Sequence, residues 1–249
     1  MTSLRSTIDE CLNAPTRIDF WAQLLVKQGA ASAAEVGVWK GDFAAEILKR
    51  CPGIEQYFMI DPWRRLDAWN KPANVEDDAF AAIYAEAMSK TDFAKDRISV
   101  LRGKTTEVID AIPDNSLDFV YIDGDHTLKG ISIDLIRSYA KVKPGGVVGG
   151  DDLARNMWHH PAQFEPTLVF PFAVYFAEAV GAPIYALPNS QFLIQKQTGD
   201  GFSFEDLVGI YDDFGLRNQL PKRPGLMKRV KAATPAPIKR IAKFLLGKS

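Results

Sequence analysis

The stretch Ala33-Ala-Glu-Val-Gly-Val-Trp-Lys-Gly-Asp42 decides the fold. Ala33 to Val38 is an apolar run of strand length, and from Asp42 to Arg50 apolar residues recur at helical spacing. A strand that turns through glycines straight into a helix opens a βα unit. Glycine there lets the backbone approach a ligand closely. The helix N-terminus behind it carries partial positive charge, which suits a carboxylate or phosphate. A nicotinamide fingerprint G-x-G-x-x-G would need glycines at 35, 37 and 40. The chain has Glu35, Gly37 and Lys40, which argues against a dinucleotide site.

Outward from this unit the same alternation continues. Tyr57 to Ile60 reads as strand 2, and the long connection after it holds a helix at about Glu76 to Ser89. Arg97 to Leu101 reads as strand 3, Thr105 to Ile112 as a helix, Leu117 to Ile122 as strand 4 and Lys129 to Val142 as a helix. Lys143-Pro-Gly-Gly reads as a turn into strand 5 at Val147, followed by a helix over Thr167 to Val180. Ile184–Leu187 and Gln191–Gln195 flank Pro188-Asn189 as an antiparallel hairpin. The predicted class is α/β: a Rossmann-like, doubly wound seven-stranded sheet with five parallel strands and a C-terminal antiparallel pair. Residues 1–29 read as an N-terminal helical segment, 30–197 as the main domain, and 198–249 as a C-terminal extension.

The 249 residues are 47% apolar and 24% charged with a formal net charge of −1, so overall charge selects no partner. Cys11 and Cys51 form no C-x-x-C pair, which argues against a zinc ribbon or thioredoxin-like chemistry and for a reduced, cytoplasmic setting. MTSLRSTIDECLNAP has no apolar core of signal-peptide length, and no run of about 18 uncharged apolar residues is long enough to span a membrane. The charge is uneven. Residues 222–249 hold nine of the 30 basic residues and none of the 31 acidic ones, which leaves the body 21 against 31, a net of −10. In that tail Ile238, Ile241, Ala242 and Leu245 share one helical face, with Lys239, Arg240 and Lys243 largely on the other. A basic amphipathic helix of this kind docks on the acidic body or a second subunit, or lies on an anionic membrane surface. The complementary charge of the body favours docking. The acidic body and the absence of an N-P-P-Y-type motif argue against a nucleic-acid substrate.

Strand 4 runs into Asp123-Gly-Asp125-His126 and strand 5 into Gly149-Gly-Asp151-Asp152. These strands are neighbours in a doubly wound sheet, and their carboxyl ends open on the ligand crevice. Asp123, Asp151 and Asp152 therefore converge. Three such carboxylates repel, and a hard divalent ion such as Mg²⁺ or Mn²⁺ relieves the repulsion through oxygen ligands. The bland alternative is that the aspartates cap helices or face solvent.

The acidic residue of Glu35-Val-Gly37-Val-Trp-Lys-Gly41, with glycines two and six positions on, resembles motif I of class I S-adenosylmethionine (SAM)-dependent methyltransferases. Asp61 closes strand 2 where that family holds the ribose hydroxyls, and the Gly103-Lys-Thr105 turn lies where it contacts adenine. The two aspartate motifs resemble the metal-dependent O-methyltransferases, which include catechol and caffeoyl-CoA types. Ile122-Asp-Gly-Asp-His126 is similar to their bacterial branch acting on sugars and antibiotic scaffolds. The resemblance covers about residues 30 to 196. It implies SAM at Glu35, Gly37, Gly41, Asp61 and Thr105, a metal at Asp123, Asp151 and Asp152, and a small-molecule or sugar hydroxyl as acceptor. His126 or Asp125 would take the acceptor's proton. Gly149-Gly150 stands where an apolar pair is common, and is expected to loosen the strand end. Arg64, Arg65 and Trp69, with Trp158, His159 and His160, are candidate substrate walls. A metal-free methyltransferase acting on nitrogen or an acidic hydroxyl, and a non-catalytic SAM-binding protein, are the competing readings.

Overall fold

A computed structural model describes residues 3–211 of the chain apart from 159, 162, 197, 198 and 200. Two helices come first, α1 (Leu4–Cys11) and α2 (Arg17–Gln28). Each begins at a hydroxyl N-cap, where Ser3 accepts from the Ser6 N–H and Thr16 from that of Asp19. α2 ends at Gly29 in the left-handed region. The alternating units follow: β1 (Ser32–Val36), α3 (Asp42–Arg50), β2 (Gln56–Asp61), α4 (Asp77–Thr91), β3 (Ile98–Arg102), α5 (Thr105–Val108), β4 (Leu117–Ile122), α6 (Leu128–Lys141), β5 (Val142–Gly150) and α7 (Val169–Val180). β6 (Pro183–Leu187), β7 (Gln191–Gln195) and β8 (Ser203–Asp206) close the sheet.

The strand order is β3-β2-β1-β4-β5-β7-β6-β8. β1 to β5 pair in parallel, and β7 runs antiparallel to both β5 and β6. Two cores cover the two faces. One joins α1 to α4 to Ala33, Tyr57, Phe119, Tyr121 and Leu193; the other joins α5 to α7 to Ala34, Val36, Val120, Ile122 and Val148. Neighbours along a strand bury on opposite faces, which is why the central strands read as unbroken apolar runs.

The sheet has eight strands rather than the expected seven, because β8 pairs in parallel with β6, Ile184 opposite Phe204. β8 is a four-residue segment with two charged residues, too short and polar for periodicity to reveal. It lies inside the expected C-terminal extension. Lys143-Pro-Gly-Gly is not a free turn but the start of β5, where the register slips: Leu117 pairs with Val142 and Phe119 with Val147. The predicted basic helix near 238–245 lies outside the described residues. Among those described, no helix is long and apolar enough to cross a membrane.

Candidate functional site

The carboxyl ends of β1, β2, β4 and β5 meet at one edge of the sheet, and each site residue sits at or just beyond a strand end. At β1 the chain turns at Gly37, with φ +89°. A side chain there would put its Cβ 2.2 Å from the Asp123 carbonyl oxygen, so glycine lets the β1 and β4 loops touch. The Asp123 N–H donates to the Val36 carbonyl at 2.8 Å and ties those loops together. Gly41, with φ +75°, caps α3, and a Cβ there would lie 3.0 Å from the Ala87 Cα of α4.

Asp61 faces this loop. Its Oδ2 accepts the N–H groups of Val38 and Trp39 at 3.0 and 2.9 Å, and its Oδ1 accepts that of Trp63 at 2.7 Å. Burial pushes its carboxyl up, against the pull of those three N–H groups. Most of its acceptor capacity therefore holds the Gly37–Gly41 loop in shape. Glu35 is 1% exposed and accepts from the Tyr57 hydroxyl at 3.0 Å; burial raises its carboxyl well above the usual range. It stands beneath the loop rather than on its surface. Thr105 gives its hydroxyl hydrogen to Asp134 of α6 at 2.5 Å.

The structure brings Asp123, Asp151, Asp152 and His126 together, and adds Arg17 of α2. Arg17 Nη1 pairs with Asp151 Oδ2 and lies 3.6 Å from Asp123 Oδ2. His126 Nδ1 lies 2.6 Å from Asp152 Oδ2, and its Nε2 is 3.5 Å from Asp123 Oδ1. Burial by itself would lower the imidazole pKa. The Asp123 and Asp152 carboxylates beside it outweigh that and raise it to about 9, so His126 is an imidazolium at neutral pH. Asp152 adopts a left-handed φ of +58°, which aspartate tolerates better than most residues. The three carboxylates form an all-oxygen donor set of the kind Mg²⁺ prefers. Their oxygens face two protein cations, and among the described residues no group of three or more His, Cys, Asp or Glu stands in metal-ligating arrangement.

A buried amide completes the cluster. Gln191 Nε2 donates to Asp151 Oδ1 at 2.6 Å, while Gln191 Oε1 accepts from Trp21 Nε1 at 3.0 Å and the Tyr121 hydroxyl at 2.6 Å. Trp21 explains the unusual glycines. A Cβ at Gly149 would lie 2.2 Å from its ring, and one at Gly150 would lie 2.4 Å from the ring of Phe192. The expectation that this strand end is loose is corrected: both glycines are filled by aromatic rings and paired on both sides, with β4 and β7.

Asp125 is set apart from the other carboxylates. Its Oδ1 accepts from Trp69 Nε1 and from the Thr127 N–H, both at 3.0 Å. Trp69 belongs to the insertion after β2, which clasps the segment after β5. Lys71 Nζ donates to the Glu165 and Pro166 carbonyls at 2.8 and 3.2 Å, and Asn70 Nδ2 to the Gln163 carbonyl at 2.7 Å. Burial lowers the Lys71 ammonium pKa, while Asp125, Asp152 and Glu165 oppose that. Of the candidate walls, Trp69 reaches the site, whereas Arg64 and Arg65 pair outward with Glu107 and Glu76. Trp158 is 46% exposed, and 159 lies outside the described residues.

Sequence reasoning missed Arg17, Trp21, Lys71, Asp134 and Gln191. None sits in a motif, and each reaches the site through tertiary packing. Gly149-Gly150 was the available signal, because paired glycines at a strand end announce a large neighbour.

Residues 34–153 match the family model for a methyltransferase domain. No curated protein matches the chain by sequence. A protein described as a caffeoyl-CoA O-methyltransferase from Staphylococcus aureus superposes with TM-score 0.54 at 13% identity, covering 78% of this chain and 92% of that one. An O-methyltransferase from Bacillus cereus, solved with S-adenosylhomocysteine (SAH), gives 0.51 at 18% identity, covering 78% and 90%. The O-methyltransferase TomG from Streptomyces achromogenes, solved with SAM, gives 0.50 at 13% identity, covering 77% and 90%. At these identities the likeness is one of fold. Residues 34–153, running from β1 to just past β5 of a Rossmann-like sheet, form a methyltransferase domain.

Proposed function

We propose that the chain is an O-methyltransferase that moves the SAM methyl group to a hydroxyl of a small molecule or sugar, assisted by Mg²⁺ or Mn²⁺. The observation that carries this reading is the convergence of Asp123, Asp151 and Asp152 on shared cations beside Asp125. SAM would bind over the Gly37–Gly41 loop, with Asp61 holding the loop, Glu35 buried at the end of β1 beside Tyr57, and Thr105 at the rim. The first turn of α3, which has no side-chain cap, suits a carboxylate group.

Asp123, Asp151 and Asp152 would hold the metal, which when bound lowers the pKa of a coordinated hydroxyl. Asp125 is the better proton acceptor. Its Oδ1 is engaged by Trp69 and Thr127, which leaves Oδ2 for the acceptor's proton. With no metal bound, Asp123 and Asp152 hold His126 protonated, and it orients Asp152. Trp69 and the clasp around Lys71 would form the acceptor wall and exclude water. One observation favours the metal-free reading: Arg17 and His126 already supply positive charge among the carboxylates.

Hydroxylated acceptors screened with SAM and Mg²⁺, and read by mass, test the proposal. EDTA should abolish turnover and Mg²⁺ restore it. Full turnover in chelator would sink the metal role. No methylated product, together with no thermal stabilisation by SAM or SAH, would sink the enzyme reading.

A further inference from the structure

Arg17, the first residue of α2, has no part in the mechanism above, yet its guanidinium sits among the proposed metal ligands. The helix that carries it is fixed independently. Phe20, Trp21, Leu24 and Leu25 are buried on one face of α2, and Trp21 fills the space left by Gly149. Both oxygens of Asp151 are thus engaged from α2: Oδ2 by Arg17 directly, and Oδ1 through the Trp21–Gln191 hydrogen bonds. On the far side of the cluster, His126 Nε2 is buried without a hydrogen-bond partner and points toward Asp123 at 3.5 Å.

We propose that Arg17 is the resident counter-ion of this cluster and sets its affinity for a divalent cation, which binds only by displacing the guanidinium from Asp123 and Asp151. The inference rests on reading the cluster as a cation site. A guanidinium binds carboxylates through the same lone pairs a metal needs, so the two cannot share them. Competition of this kind multiplies the intrinsic affinity by the fraction of protein with the cluster free, and so weakens it. Because burial of Trp21 and its neighbours holds α2, release of Arg17 needs only side-chain rotation. The Arg17 side chain is 36% exposed and has solvent to turn into.

Mn²⁺ binding to the full chain, followed by calorimetry and by the electron paramagnetic resonance signal of free Mn²⁺, tests this without an acceptor or turnover. Arg17→Gln should bind Mn²⁺ at least tenfold tighter than wild type, and Arg17→Lys should fall between the two, since a lysine lacks the bidentate fork. Arg137→Gln makes the same charge change at an exposed pair with Asp110 on α6, and should stay within twofold of wild type. Circular dichroism establishes that each variant is folded. Equal or weaker Mn²⁺ binding by Arg17→Gln overturns the inference, as does an equal gain in Arg137→Gln. Equal binding in a protein whose turnover EDTA abolishes overturns the inference alone. Absence of Mn²⁺ binding in every variant overturns the metal role as well.

Discussion

At the β2 end of the crevice, the Asp61 carboxylate is held by three backbone N–H groups lying two, 22 and 23 positions away in sequence. At the β4–β5 end, Asp123, Asp151 and Asp152 are held by the side chains of Arg17, His126 and Gln191, drawn from α2, the β4 loop and β7. Backbone donors come with the local turn and cannot be mutated away. Side-chain cations can be displaced, or lost to a change of pH. The first end is built as a fixed cradle, and the second as an exchangeable charge cluster.

The largest effect is expected where the second end depends on packing. Trp21 is fully buried, packs its ring against Phe119 and Tyr121, and donates to Gln191. Trp21→Ala should lower the unfolding free energy by about 3–5 kcal/mol in urea titration, the usual range for emptying such a site. A loss below about 1 kcal/mol, within the range of an ordinary surface substitution, would mean that α2 is not part of the core.

Breaking the cradle should cost less. Asp61→Ala leaves the N–H groups of Val38, Trp39 and Trp63 without their acceptor, and should cost about 1–3 kcal/mol of stability. SAH affinity by calorimetry should fall with it. Unchanged affinity would separate the Asp61 hydrogen bonds from cofactor binding and undo the contrast between the ends.

A pH dependence of comparable size is expected at the second end. His126 has its folded pKa raised to about 9 from 6.5, so its contribution is complete below the lower value and is lost as pH rises through the upper one. Burial raises Asp134 to about 7 against its Thr105 hydrogen bond, so stability also falls as pH rises through that value. Unfolding in EDTA should lose about 2–3 kcal/mol from His126 between pH 6.5 and 9.5. His126→Gln should flatten that part of the curve and leave the Asp134 part. A wild-type curve flat above pH 7 would show that the imidazolium is not held by Asp123 and Asp152.

Residues 33–42 announced the first βα unit because its strand, glycines and helix are contiguous, and α3 begins at Asp42 as read. β4 at Leu117–Ile122 and β7 at Gln191–Gln195 also match their apolar runs. The clustering of Asp123, Asp151 and Asp152 followed from topology, since parallel neighbours place their carboxyl ends together. β8 escaped because a short polar edge strand carries little pattern. Strand 5 was read to start too late because Lys143-Pro-Gly-Gly has the composition of a turn and the pairing of a bulge.

What the sequence by itself determined is what depends on neighbours along the chain: the alternating strands and helices, the glycine turn of β1, and the carboxylates that end β2, β4 and β5. What only the tertiary structure decided is how those carboxylates are satisfied. Asp61 turned out to hold its own loop, Thr105 to serve Asp134, and His126 to stand protonated between two aspartates. Arg17 and Trp21 reached the cluster from a helix more than 100 residues away from Asp151 in sequence. The physical reason is that a carboxylate's charge is legible wherever it stands, whereas its counter-charge is chosen by which side chains the packing of α2 and β7 against the sheet brings within reach.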